Sequence, residues 1–188
     1  MEMEEARFLS GQFLLAMPGI GDPRFERAVI AMCVHDDDGA LGIGLGRIIP
    51  RIHFHDLLRQ LDIEPGVSPN VAIHLGGPVE PQRGFVIHSP DWGGDDSIHV
   101  GDRWVLSATL DILRAITAGK GPSRWVAALG YAGWGAGQLE QEMSGHGWFA
   151  AAGDDAMLYD CDVKSRWELG FRQAGIDPHL LTADFGTA

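Results

Sequence analysis

The sequence predicts an α+β fold in one mixed domain, and three observations carry that expectation. Short apolar runs end repeatedly at Gly and Pro, as strands do, and two longer segments repeat apolar residues every three to four positions, as amphipathic helices do. An acidic Asp-Gly turn joins two neighbouring runs into a hairpin. The length, 188 residues, fits a single domain over residues 1–188. A chain of that size buries on the order of 70% of its unfolded surface, enough for a proper core. The core is expected at about 8–176, with loose tails at 1–7 and 178–188.

The first run, Phe13-Leu-Leu-Ala-Met17, is halted by Pro18 and reads as a buried strand; Gly19, Gly21 and Pro23 mark the loop after it. Ala28 to His35 is apolar on both alternating faces and reads as a strand buried on both. The turn Asp36-Asp-Asp-Gly39 returns the chain as Ala40 to Leu45. Glycines 42, 44 and 46 leave one face of that strand bare and invite another backbone to approach. Ile52 to Leu61 carries Phe54, Leu57, Leu58 and Leu61 at helical spacing. Strands follow at Val71 to Leu75, stopped by Gly76-Gly77-Pro78, and at Gly84 to His88, stopped by Pro90. Asp91 to Asp96 reads as an acidic loop, and Ile98 to Val100 pairs with Trp104 to Leu106 around Gly101-Asp102.

Thr109 to Ala118 has the clearest helix signals: Ser107 or Thr109 as cap, Asp111 in the first turn, a stripe of Leu110, Leu113 and Ile116 or Ala115, and Gly119 as stop. Trp125 to Leu129 is a strand that feeds Gly130-Tyr-Ala-Gly-Trp-Gly-Ala-Gly-Gln-Leu-Glu140. Leu139 and Met143 lie four apart on a short helix, Trp148-Phe149 suggests a buried strand, and Val163 to Ala174 is a last helix capped by Asp162 and stopped by Gly175.

Charge narrows the function classes. Fourteen basic against 26 acidic residues give 14 − 26 = −12, a field that repels phosphate backbones and disfavours direct nucleic-acid binding. The one basic patch, Arg47, Arg51, His53, His55 and Arg59, is diluted by Asp56 and reads as a solvated face. No run approaches the roughly 18 apolar residues that span a bilayer, and the N-terminus lacks a basic secretion signal, so a cytoplasmic protein without membrane contact is expected. Cys33 and Cys161 read as buried thiols, and the sequence nominates no metal site and no cofactor. His53-x-His55 points its two rings apart on a helix, and neither a phosphate loop nor a nucleophile elbow is present.

The glycine-rich segment is the most informative stretch. Gly130, Gly133, Gly135 and Gly137 demand positive φ or a close approach, read either as a tight crossover or as a turn whose N–H groups gather at the start of a helix. The candidate binding residues are the turn Gly76, Gly77 and Pro78, with Arg83 and His88, and the segment Gly130, Tyr131, Gly133, Trp134, Gly135, Gly137 and Gln138. Trp134 is singled out because glycine neighbours cannot cover its indole. Acid–base candidates are His88 and Glu142, with His74 near the same turn.

Several blocks together resemble the AlgH/YqgE family of bacterial proteins: Phe13 to Pro18, Asp22 to Arg27, Asp38 to Gly42, Leu75 to Val79, Gly84 to Pro90 and Gly130 to Glu140, in the family's order over 13 to about 175. The resemblance implies an α+β fold with a small closed strand barrel, extra strands and flanking helices, in a cytosolic bacterial protein. It brings no catalytic residue set. Some members are described as transcriptional regulators; this acidic chain shows no helix-turn-helix, which leaves indirect regulation as the form of that reading. Where the family has Asn-Arg-Pro, this chain has Gly46-Arg47-Ile48. The leading expectation is a non-enzymatic binding or regulatory protein acting on a protein partner or small ligand. The rival is an enzyme that uses a His88 and Glu142 cleft.

Overall fold

The structure, a computed structural model, describes residues 8–94 and 96–181. In chain order the strands are β1 (Phe13–Ala16), β2 (Val29–Asp36), β3 (Gly39–Gly44), β4 (Ile48–His53), β5 (Ala72–Leu75), β6 (Val79–His88), β7 (Ile98–Val100), β8 (Trp104–Ser107), β9 (Trp125–Gly135) and β10 (Trp148–Ala151). The helices are α1 (Phe54–Gln60), α2 (Leu110–Thr117), α3 (Gln138–Ser144) and α4 (Arg166–Gln173). A π turn, Ala156–Asp160, precedes α4, and 3-10 turns lie at Pro23–Phe25 and Pro178–Leu180. The expected tail at 178–188 thus opens with a 3-10 turn whose Pro178 is buried; residues 1–7 and 182–188 lie outside the described residues.

The strands form a mixed, mostly antiparallel sheet in the order β10-β1-β2-β3-β9-β6-β8-β7, with β5 and then β4 branching from β9. β5 runs parallel to β9, while the other described pairs are antiparallel. The closed barrel implied by the family resemblance is not present: the sheet curls but stays open. Its last strand, β7, comes against β2 without pairing to it. β2 already bonds β1 on one edge and β3 on the other, so it has no free edge to offer. Val100 and Trp104 instead pack into the same core as Phe13, Val29 and Ile43.

Alternation along β1 and β2 explains why both strands are buried on both faces. Phe13 and Leu15 face the core inside the curl, while Leu14 and Ala16 face a second one that α3 covers with Leu139. A third core lies under α1 and α2, with Phe54, Leu58, Ile112, Leu113 and Ile116. In α2 the buried stripe is Ile112, Leu113 and Ile116, and Leu110 is 41% exposed, because the helix turns its i, i+1, i+4 positions to the sheet. Thr109 holds the N-cap position without a side-chain bond, and Ser107 belongs to β8. α1 starts two residues later than the periodicity suggests, since Ile52 and His53 finish β4, and His53 and Asp56 form a reciprocal capping box there. Likewise α4 starts at Arg166 rather than Val163, after the π turn. Among the described residues, no helix is long and apolar enough to cross a membrane.

The largest departure concerns Gly130 to Gly135. A turn or a tight crossover is expected there, with positive φ or a close approach at the glycines; Gly130 does take φ 77° with another backbone beside it, but the strand continues through the segment as β9. At this point β9 changes neighbours on one edge: Ala128 and Leu129 pair with β5, whereas Ala132 to Gly135 pair with β3. The chain leaving β5 fills the crotch of this fork. Gly76 N–H donates to the Leu129 carbonyl at 2.8 Å, and Gly44 N–H donates to the Gly76 carbonyl at 2.7 Å. A Cβ on Gly76 would stand 2.1 Å from the Gly130 oxygen, one on Gly77 2.1 Å from the Tyr131 carbonyl carbon, and one on Gly44 2.6 Å from the Leu75 oxygen. Bare backbone on β3, on β9 and in the turn after β5 is therefore what lets the sheet divide.

Candidate functional site

Two depressions meet on the outer side of the fork. One is an apolar groove of about 250 Å³ under the Gly76-Gly77-Pro78 turn, floored by Ala28, Ile30, Leu75 and Ala132. The other is a cleft of about 460 Å³ lined by Trp134, Gln138, Glu142, Trp148 and Asp22. Arg24, Phe25, Pro78 and Ala132 line both, which makes them one continuous surface. The 3-10 turn at Pro23–Phe25 forms its shared wall. Asp22 caps that turn through the Arg24 N–H and grips the Arg24 guanidinium with both oxygens, at 3.1 Å from Nε and 2.7 Å from Nη2. Arg47 Nη2 donates to the Pro23 and Glu26 carbonyls at 3.1 and 3.0 Å, so it holds the same wall from behind without a flanking Asn or Pro.

Trp134 is the chief correction. Its indole is 7% exposed rather than uncovered, although the cleft lies beside it. Glycines 133 and 135 point to the opposite face of β9, so they leave that face bare; the indole itself lies against Leu139 and Trp148. Trp134 and Trp148 meet edge to face at 6.2 Å between centroids, and Phe25 meets Trp148 at 5.6 Å. Glu142 Oε2 accepts both indole N–H groups, at 2.7 Å from Trp134 and 3.1 Å from Trp148. One carboxylate oxygen thus orients both rings, and it is committed to them rather than poised for proton transfer.

The remaining expected site residues divide cleanly. Gly76, Gly77 and Pro78 line the groove, while Gly133, Trp134, Gln138 and Glu142 line the cleft. Gly130 lies buried in the fork. Tyr131 turns the other way to meet Phe85 at 5.8 Å. Gly135, at the end of β9, donates its N–H to Gln138 Oε1 at 3.0 Å, and Gly137 takes φ 73° as the cap of α3. Arg83 is exposed, pairs with Glu80 at 3.4 Å and stacks on Phe85. His88 is fully buried at the far end of β6, where it pairs with Trp125, and it lines neither depression. Arg83, His88 and Trp134 therefore do not converge on one depression, and the expected His88 and Glu142 cleft is not formed among the described residues.

Asp22, Arg24, Phe25 and Trp148 are among the lining residues that sequence reasoning did not nominate. Asp followed by Pro is a cap signal that marks the turn at 23–25, but only the folded chain brings that turn to Trp134. Arg166 was also missed. It is buried at the start of α4 and donates to the Met157 and Leu158 carbonyls at 2.9 and 3.2 Å, to the Leu45 carbonyl, and to His74 Nε2 at 3.1 Å. His74 answers with Nδ1 at 3.1 Å from the Ala127 carbonyl; burial, then the Arg166 charge, pulls its imidazole down to about 4. Burial also pushes the Cys33 thiol up to about 12, in keeping with an inert core residue. Among the described residues, no three His, Cys, Asp or Glu side chains stand close enough to share a metal ion.

Comparison with known proteins places the chain. A family model described as AlgH-like matches residues 13–179. A UPF0301 protein of Rhizorhabdus wittichii is 60% identical over 186 residues, covering 99% of this chain and all of that protein, and one of Novosphingobium aromaticivorans is 55% identical over the same spans. The solution structure of the AlgH protein from Pseudomonas aeruginosa superposes with a TM-score of 0.80 at 35% identity, covering 96% of each chain. A crystal structure from Corynebacterium diphtheriae, 22% identical, shares the fold with a TM-score of 0.71 over 94% of this chain and 92% of that one.

Proposed function

We infer that this chain, which belongs to the AlgH-like family, is a cytoplasmic binding protein that takes an apolar group of a small ligand or of a protein partner in the groove beside Pro78. The observation that carries the reading is the joined surface: an apolar floor framed by Phe25, Pro78 and Ala132, opening into a cleft whose polar groups are already oriented. Its volume lies in the range that small-molecule sites use. Arg24 and Asp22 satisfy one another at its wall, and Glu142 is held by two indoles, so the groups at hand suit recognition better than bond making. A regulatory role follows if occupancy changes what the protein's partners see at this wall.

A fragment screen tests the reading. Small apolar amides and acids are titrated into the isotope-labelled protein, and the indole N–H resonances of Trp134 and Trp148 are followed. Binders are expected to move both resonances, and Phe25→Ala, which removes half the wall, is expected to weaken them about tenfold, near 1.4 kcal/mol. A screen in which no fragment moves either indole, or in which Phe25→Ala changes nothing, refutes the assignment.

A further inference from the structure

Away from the groove, β6, β8 and the loop before β7 carry a chain of hydroxyls whose proton direction is fixed. His88 Nδ1 lies 2.8 Å from the Ser89 carbonyl oxygen, which can only accept, so the proton of the neutral ring sits on Nδ1. Nε2 is then an acceptor, and Ser107 Oγ, 2.8 Å away, donates to it. With its own proton committed, Ser107 accepts from Ser97, whose Oγ is again at 2.8 Å. The Gly94 N–H donates to Ser97 Oγ at 3.3 Å. His88 and Ser107 are buried, but Ser97 is only half-buried, and Gly93 close by has open space where a Cβ would stand.

Satisfying a buried imidazole needs one hydroxyl, and Ser107 supplies it. The second link does something more: it extends the hydrogen-bonded chain from a shielded nitrogen to the hydroxyl of a half-buried serine. We propose that Ser97 is a nucleophilic serine, activated by His88 through Ser107, that accepts an acyl group from an activated ester. Its Oγ bonds to the carbonyl carbon, its proton passes to Ser107 Oγ, and the Ser107 proton passes to His88 Nε2. The bond from carbonyl carbon to leaving oxygen breaks, and that oxygen departs with the electron pair. Water then cleaves the acyl-serine ester, and the proton returns along the same chain. Around the imidazole, Asp91 favours the protonated ring and His99 opposes it, while Trp92 meets it edge-on at 5.6 Å. Burial outweighs these and holds the ring neutral to below its ordinary range.

This proposal is independent of the groove and is tested separately. The full chain is incubated with p-nitrophenyl acetate, nitrophenolate release is timed, and the acetylated residue is mapped by mass spectrometry. The expected result is an acetyl group on Ser97, absent from Ser97→Ala. Ser107→Ala is expected to slow acetylation about a hundredfold and Ser107→Thr to restore it. In the natural chain the rate falls as acidification protonates His88. Acetyl groups confined to other residues overturn the proposal, as does a Ser107→Ala rate equal to the natural one. Should Ser107→Ala fail to fold by circular dichroism, a natural-chain rate that does not fall on acidification for as long as the chain stays folded overturns it equally.

Discussion

Replacing Gly77 by Ala separates a glycine that the fold requires from one kept for a ligand. The added Cβ would lie 2.1 Å from the Tyr131 carbonyl carbon and 2.2 Å from its oxygen, against an ordinary contact of at least 3.4 Å, at a φ of 154°. Both atoms are backbone, so relief requires β9 or the turn to shift rather than a side chain to rotate. Overpacking of this kind costs about 1–3 kcal/mol, and the unfavourable φ about 1–3 kcal/mol more. The sum, roughly 2–6 kcal/mol, is a large part of the 5–15 kcal/mol that holds an ordinary domain together. Gly133→Ala is the control: its Cβ would meet side chains alone, the movable Tyr131 ring at 3.3 Å and a Val79 methyl at 3.9 Å, and its cost should stay below about 1 kcal/mol. Gly137→Ala, with φ 73° but open space, should fall between them, at about 1–2 kcal/mol. Urea unfolding followed by far-ultraviolet circular dichroism gives all three values. A Gly77→Ala midpoint as high as that of Gly133→Ala would show that the fork does not depend on bare backbone.

Three further outcomes are expected. Glu142→Ala strands two indole N–H donors and should cost about 2–4 kcal/mol, whereas Glu142→Gln, which keeps an acceptor oxygen, should cost about 1 kcal/mol; equal urea midpoints for the two would contradict the shared-acceptor geometry. His74 is depressed from 6.5 to about 4 in the folded chain, so the unfolded chain binds its proton first. The stability is therefore complete above pH 6.5 and is lost as pH falls toward 4, by about 3 kcal/mol; His74→Gln should flatten that loss, and an unchanged slope between pH 7 and 4.5 would refute it. In α2, Ile112→Ala should cost about 2–5 kcal/mol and Leu110→Ala less than about 1 kcal/mol, the reverse of what the Leu110 stripe suggests; thermal melts of the two variants decide.

Elements whose signals are local were legible in the sequence. The hairpin at Asp36 to Gly39, the strands at 13–16, 72–75 and 148–151, and the helix ending at Gly119 all announce themselves through alternation, spacing or turn chemistry. What escaped depends on distant chain. Glycines 130 to 135 read as a turn because glycine signals conformational freedom and close approach alike, and only the partner strands show which is used. The bare face of β3 was read correctly, and Gly44 does admit another backbone. Trp134 looked uncovered from its immediate neighbours, yet what covers a strand residue is set by the helix and strands packed on its face. The Arg166 to His74 contact joins residues 92 positions apart, and the Asp22 to Phe25 wall brings a turn near residue 24 to Trp134 of β9. No periodicity encodes such meetings.

The branching of the sheet also sets an order of assembly. The strand that bridges the sheet occupies 125–135, so what is synthesised before it, the three groups β1-β2-β3, β4-β5 and β6-β8-β7 with open edges, waits on one late segment. A nascent chain halted before residue 125 would hold apolar strands with no bridge between them, and release of that one stretch should let the three groups close together.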